Sequence, residues 1–291
     1  MNRHWGDLVA AKTASHGPLT LGIDPVLADI PSCFRTGGMA ASEAVRGYVR
    51  FLLDTTADQV GFVKFNAAFF EALGTKGIEV LANVMAEAKK KGHGVILDAK
   101  RGDVGGTAAA YAQAYLTPAS AGSLSDLEAD CLTVNPFLGP DTLEPLVACA
   151  RKFGKGLFVL VKTSNPGSGW LQDKAIDGVR VSDRVAELVA QWSAETAGAC
   201  GLGAVGAVVG ATYPEEGKRL RTLMPNSIFL APGLGPQGGK SEDIAALHRA
   251  DGTGILVPVQ RGITKVDDLS ISQDAYAALV RERVERYRKA L

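Results

Sequence analysis

Val95-Ile96-Leu97-Asp98-Ala99-Lys100-Arg101-Gly102-Asp103 is the stretch on which the reading of this chain turns. Its first three residues form a short run of bulky apolar side chains, as in a strand buried on both faces. The charges begin where such a strand should end. If the strand continues to Lys100, then Asp98 and Lys100 lie two apart and share a face. Asp103 follows three residues later, beyond Arg101 and Gly102. The stretch therefore predicts a concentrated ionic group at the C-terminal mouth of a buried strand.

Seven more strand candidates surround it. The eight begin at about residues 19, 60, 95, 129, 156, 204, 227 and 254. A segment with helical spacing follows each one: 41–56, 75–91, 107–115, 142–152, 181–196, 214–223, 243–250 and 271–288. This repeated strand–helix order predicts an α/β protein with a single (β/α)8 TIM barrel, rather than an open doubly wound sheet. The first strand–helix connection also lacks GxGxxG, which argues against a dinucleotide fold. No shift in composition divides the chain. Residues 1–291 are read as one barrel domain, with a short amphipathic lead-in at 1–18 and a charged C-terminal helix at 271–288. Residues 168–177 are expected to form a loop or lid, with Trp170 either covering the mouth or packed.

Lysine and arginine balance aspartate and glutamate over the 291 residues, 46% are hydrophobic and 21% charged. Such a neutral chain, without a basic or aromatic stripe, gives no reason to expect a nucleic-acid partner. Cys33, Cys131, Cys149 and Cys200 lack metal-ligand spacing, and a reducing compartment suits them better than a disulfide framework. Met1 to His16 has no signal-peptide core, and no apolar run reaches membrane-spanning length. The expectation is a cytoplasmic protein with no membrane association.

The barrel has a chemical consequence. Side chains at the C-terminal strand ends converge on one pocket, which collects Asp24, Lys64, Asp98, Lys100, Ser164, Gln237 and Arg261. Asp103, on the loop beyond the third strand, either completes that pocket or reaches across an interface. Lys64 sits inside Val-Gly-Phe-Val-Lys-Phe-Asn, where it can reach inward to a carboxylate or a phosphate. The late glycine-rich loop around Gln237, together with Arg261, suits a phosphate. The lysines can neutralise Asp98 and Asp103 and deliver a proton to developing negative charge. A purely structural ion-pair network is the plain alternative, although burying one is costly. A divalent metal is disfavoured because the lysines compete for the carboxylates and no His/Asp/Glu set compensates.

These motifs together resemble the orotidine 5'-phosphate decarboxylase family, and its longer bacterial branch in particular. Asp98-Ala-Lys100-Arg-Gly-Asp103 matches the family's D-x-K-x-x-D signature, extended by Val-Gly-Gly-Thr107. Lys64 in Phe-Val-Lys-Phe-Asn, Asp24 in Gly-Ile-Asp-Pro, Ser164 in Thr-Ser-Asn-Pro-Gly, Gln237 in the Pro-Gly-Leu-Gly-Pro-Gln-Gly-Gly loop, and Arg261 match further positions. The resemblance implies conversion of orotidine 5'-phosphate to uridine 5'-phosphate and carbon dioxide in de novo pyrimidine synthesis, without organic cofactor or metal. It implies that Lys100 protonates C6 beside Asp98, and that Lys64 balances charge and meets a sugar hydroxyl. Asp24 and Thr107 would hold the ribose, Ser164 the pyrimidine, and Gln237 with Arg261 the phosphate. It further implies a homodimer in which Asp103 and Thr107 enter the neighbouring subunit's site. Insertions at 31–41 and 165–180 depart from the compact form of the family. So does Pro258-Val259-Gln260 before Arg261. The rival readings are a metal-dependent sugar-phosphate enzyme on the same charged strand end, a Schiff-base aldolase using Lys64 or Lys100, and a non-catalytic nucleotide-binding barrel.

Overall fold

The structure is a computed structural model that describes residues 4–235 and 238–291. Eight parallel strands close into a barrel and are numbered here in chain order: β1 (Leu19–Ile23), β2 (Phe62–Asn66), β3 (Gly94–Arg101), β4 (Cys131–Val134), β5 (Gly156–Lys162), β6 (Val205–Val209), β7 (Phe229–Leu230) and β8 (Ile255–Val259). β1 closes the ring by pairing with both β2 and β8. The eightfold expectation therefore holds strand for strand.

The helices run α1 (Trp5–His16), α2 (Ala41–Thr55), α3 (Ala67–Glu71), α4 (Gly74–Lys90), α5 (Gly105–Leu116), α6 (Glu144–Phe153), α7 (Val181–Glu195), α8 (Pro214–Leu223), α9 (Ser241–Ala245), α10 (Arg261–Thr264) and α11 (Gln273–Ala290). The short turn α3 had no clear sequence signal. α9 stops at Ala245, well before the expected residue 250. Residues 168–177 contain part of a 3-10 turn and lead into a small antiparallel hairpin, Ala175–Ile176 with Val179–Arg180.

Strand parity sorts the side chains. Val63, Phe65, Val95 and Leu97 point outward and join the larger core beneath the helices. Phe62, Ile96, Cys131, Phe158 and Leu256 point inward and form a second core inside the barrel. Trp5 of the lead-in closes the bottom of that inner core. It is fully buried, edge-on to Phe62 and Phe158 at centroid distances of 5.6 and 6.0 Å. A Cβ on Gly156 would lie 2.6 Å from the Trp5 ring, so the strand must be bare there for the plug to seat. The segment expected only as a lead-in thus does more, because α1 (Trp5–His16) supplies the barrel floor. Following the inward parity upward, Phe62 gives way to Lys64, Ile96 to Asp98 and Cys131 to Thr133. The barrel is apolar below and ionic above.

Candidate active site

A cavity of about 620 Å³ opens at the C-terminal end of the strands. Asp24, Lys64, Asp98, Lys100, Ser164 and Arg261 all line it, so six of the sequence-derived residues meet in one place. Gln237 lies outside the described residues. Asp103 and Thr107 do not line it. The Asp103 carboxylate accepts from the Val104 amide at 2.7 Å, and Thr107 is exposed at the start of α5.

Asp98 is the hub. Its Oδ2 accepts from Lys64 Nζ at 2.7 Å and its Oδ1 from Lys100 Nζ at 2.6 Å. The Thr133 hydroxyl donates to the same Oδ1 at 2.9 Å. Burial alone would push the Asp98 carboxyl up. The Lys64 and Lys100 cations overturn that and hold it well below the usual carboxylate range. Burial would likewise depress Lys64, which is nearly enclosed. The Asp98 and Asp24 carboxylates overcome it and raise the ammonium above its ordinary value. Asp24 Oδ1 stands 3.9 Å from Lys64 Nζ and has no hydrogen-bond partner among the described residues. It is a buried acceptor aimed at a cavity, a place for a ligand hydroxyl.

Simple alternation would put Asp98 and Lys100 on one face, but the strand does not reach that arrangement by regular pleating. The β3–β4 register shifts between Leu97, opposite Leu132, and Arg101, opposite Val134. Lys100 sits in this irregularity with a left-handed φ of 49°, rare for a side chain with a Cβ. Its amide donates to the Thr133 hydroxyl at 2.9 Å. Thr133 thus holds the Lys100 backbone and the Asp98 carboxylate with one oxygen. Sequence reading missed it. The available signal was a polar residue at an inward position near the top of an otherwise apolar strand.

Two further groups were missed. Gln260 lines the cavity and donates from Nε2 to the Asp24 carbonyl at 3.1 Å, which joins the end of β8 to the end of β1. Lys162 ends β5 much as Lys64 lies near the end of β2, a parallel the sequence displays plainly. It is almost fully buried, donates to both Asp173 oxygens at 2.7 and 2.8 Å, and lies 4.4 Å from the Tyr213 ring centroid. A register slip between Leu160 and Lys162 accompanies this placement. With Gln172, whose Oε1 accepts from the Thr163 amide at 2.9 Å, Lys162 ties residues 163–173 down beside Ser164. Trp170 in that segment lines the cavity yet is 80% exposed, so it is neither packed nor a closed cover.

Arg261 opens α10 on the opposite rim, exposed and without an ion-pair partner among the described residues. An ion-paired hub, an enclosed acceptor and an uncommitted guanidinium therefore share one cavity.

Residues 44–270 match the orotidine 5'-phosphate decarboxylase / HUMPS family. The chain belongs to that family. Among its relatives, orotidine 5'-phosphate decarboxylase of Rhodopirellula baltica is 44% identical over 262 residues, covering 87% of this chain and 86% of the relative. The enzyme of that name from Caldicellulosiruptor bescii is 40% identical over 266 residues, covering 88% and 87%. Among solved structures, OMP decarboxylase of Leishmania donovani superposes with a TM-score of 0.75 at 31% identity, covering 98% of both chains. Family members thus share this barrel over nearly its whole length.

Proposed function

We infer that this chain decarboxylates orotidine 5'-phosphate to uridine 5'-phosphate and carbon dioxide, a step of pyrimidine biosynthesis. The observation that carries the mechanism is Asp98 held between Lys64 and Lys100 on the cavity wall. Cleavage of the bond from C6 to its carboxylate leaves the electron pair on C6. Lys100 Nζ supplies the proton that becomes the new C6–H, and its charge stabilises the carbanion as it forms. Asp98 holds the ammonium in place before the substrate arrives. Lys64 compensates Asp98 and Asp24, leaving Asp24 to accept from the ribose. Ser164 meets the pyrimidine, and Arg261 grips the phosphate. That distant grip supplies binding energy for orienting the reacting end.

The reading includes a single-domain, cytoplasmic homodimer. Asp103 and Thr107 stand away from their own cavity, on a surface where Val104, Phe137 and Leu138 are exposed. The loops carrying these residues are joined, because the Asn135 amide donates to the Arg101 carbonyl at 2.8 Å. A second copy covering this apolar rim receives Asp103 and Thr107 into its pocket. Among the described residues no helix is long and apolar enough to cross a membrane.

The test is a spectrophotometric assay with orotidine 5'-phosphate in the presence of a chelator. Turnover without added metal or cofactor is expected. Folded protein that leaves the nucleotide unchanged would overturn the reading.

A further inference from the structure

α11 packs against α2 and α10. Residues Tyr276, Val280, Arg283 and Tyr287 recur at helical spacing, and their packing places them on the face turned to the barrel. Tyr276, Val280 and Val284 are fully buried. The polar groups of this face end on one target, the single turn α10 that carries Arg261.

A four-residue helix leaves its last carbonyls without intrahelical partners. Here three successive carbonyls are taken by α11. Arg283 Nη1 donates to Ile263 O at 3.1 Å and to Lys265 O at 2.6 Å. Tyr276 Oη donates to the intervening Thr264 O at 2.7 Å, and Tyr48 Oη lies 3.0 Å from Tyr276 Oη. The Arg283 cation also suits the negative end of a helical turn.

Tyr287 adds a second brace. Its hydroxyl occupies the space where a Gly262 Cβ would stand, and it lies 2.9 Å from the Cβ position of Gly235. Gly262 belongs to the Arg261 turn. Gly235 belongs to the glycine-rich loop, with φ of 86°. The neighbouring Gly233 and Leu234, like Gly262, line the cavity. One hydroxyl is therefore wedged between the two arms of the pocket's Arg261 end.

We propose that Arg283 and Tyr287 are positioning residues for phosphate capture: they hold the Arg261 turn against the Gly233–Gly235 loop so that the guanidinium faces a bound phosphate. The proposal rests on the assignment of Arg261 to phosphate made above. Neither residue lines the cavity, so both act through the placement of Arg261.

The test compares Arg283→Met and Tyr287→Phe with wild type, each alone and in an Arg261→Ala background. For Arg283→Met, losing the charge-assisted contacts to the Ile263 and Lys265 carbonyls is expected to raise KM for orotidine 5'-phosphate by about tenfold, and Tyr287→Phe, which removes only the wedged hydroxyl, by about threefold, each with kcat within about twofold. Arg283→Lys, which keeps the cation, is expected to recover most of the loss. In the Arg261→Ala background neither change should weaken binding further, because the group they position is gone. Calorimetric titration with inorganic phosphate reads the same brace without turnover, so it remains decisive even for a protein inactive on orotidine 5'-phosphate. Phosphate affinity that is unchanged in both variants, or that falls by the same factor with and without Arg261, would overturn the proposal. So would a loss confined to kcat, which is what general loosening of the barrel predicts.

Discussion

Replacing Thr133 by Val keeps the shape of a β-branched side chain and removes one oxygen. That oxygen serves two groups, accepting from the Lys100 amide and donating to Asp98 Oδ1, both at 2.9 Å. A hydrogen bond to a charged group contributes about 1.5–3 kcal/mol, and a stranded buried donor costs about 1–3 kcal/mol. Lys100 has the further strain of its left-handed backbone, about 1–2 kcal/mol for a residue with a Cβ. The hydrogen bond from the Lys100 amide to the Thr133 hydroxyl opposes relaxation of that strain. Taking about 2 kcal/mol as the part that bears on Lys100 placement, kcat should fall by about 30-fold. KM should change by less than about threefold, since Thr133 is remote from the phosphate grip. Thr133→Ser, which restores the oxygen, should recover most of the rate. Steady-state decarboxylation of the three proteins at saturating nucleotide decides the matter. A Thr133→Val enzyme with kcat within about twofold of wild type would refute the claim that this hydroxyl holds the proton donor in place.

Three other outcomes are expected. Asp98→Asn leaves Lys64 enclosed without its closest counter-charge, so the variant should lose decarboxylation and about 3–5 kcal/mol of stability by denaturant titration. The depressed Asp98 carboxyl contributes stability that is fully present above the unfolded value of about 3.9 and is lost as pH falls through the folded value, so acid unfolding of the variant should be the less steep. His93 is pushed down to about 4 by burial, against a hydrogen bond to the Val60 carbonyl. The unfolded chain therefore binds the extra proton between about pH 6.5 and 4, and stability should fall by up to about 3 kcal/mol across that window. His93→Asn should flatten this dependence, and equal slopes would count against the assignment. Finally, mixing inactive Lys100→Ala with inactive Asp103→Asn should restore about a quarter of wild-type activity if dimers reassort freely, because half are mixed and each has one intact site. No recovery after verified subunit exchange would place Asp103 in its own subunit's chemistry.

Much of the architecture was legible along the chain because it rests on local signals. Apolar runs separated by helical spacing give eight strands, and a parallel barrel directs all their C-terminal ends to one mouth. Asp24, Lys64, Asp98, Lys100, Ser164 and Arg261 can therefore be gathered from the sequence, and the structure sets all six around one cavity. The apolar spacing continues past Ala245 and so predicts a helix to residue 250, whereas α9 ends at Ala245.

What the tertiary structure decided is how those residues are held. The β3 irregularity and the left-handed Lys100 come from pairing with β4, a partner distant in sequence that no local pattern encodes. Thr133 gains importance only because that pairing puts its hydroxyl between Asp98 and the Lys100 amide. The plug made by Trp5 and the brace made by Arg283 and Tyr287 depend on α1 and α11 meeting the bottom and top of a closed ring. Val95–Asp103 by itself determined that charge would gather at a strand mouth. The geometry that separates a reactive lysine from one more salt bridge was set by long-range packing, where a left-handed backbone and a buried carboxylate persist only because neighbouring strands supply their partners.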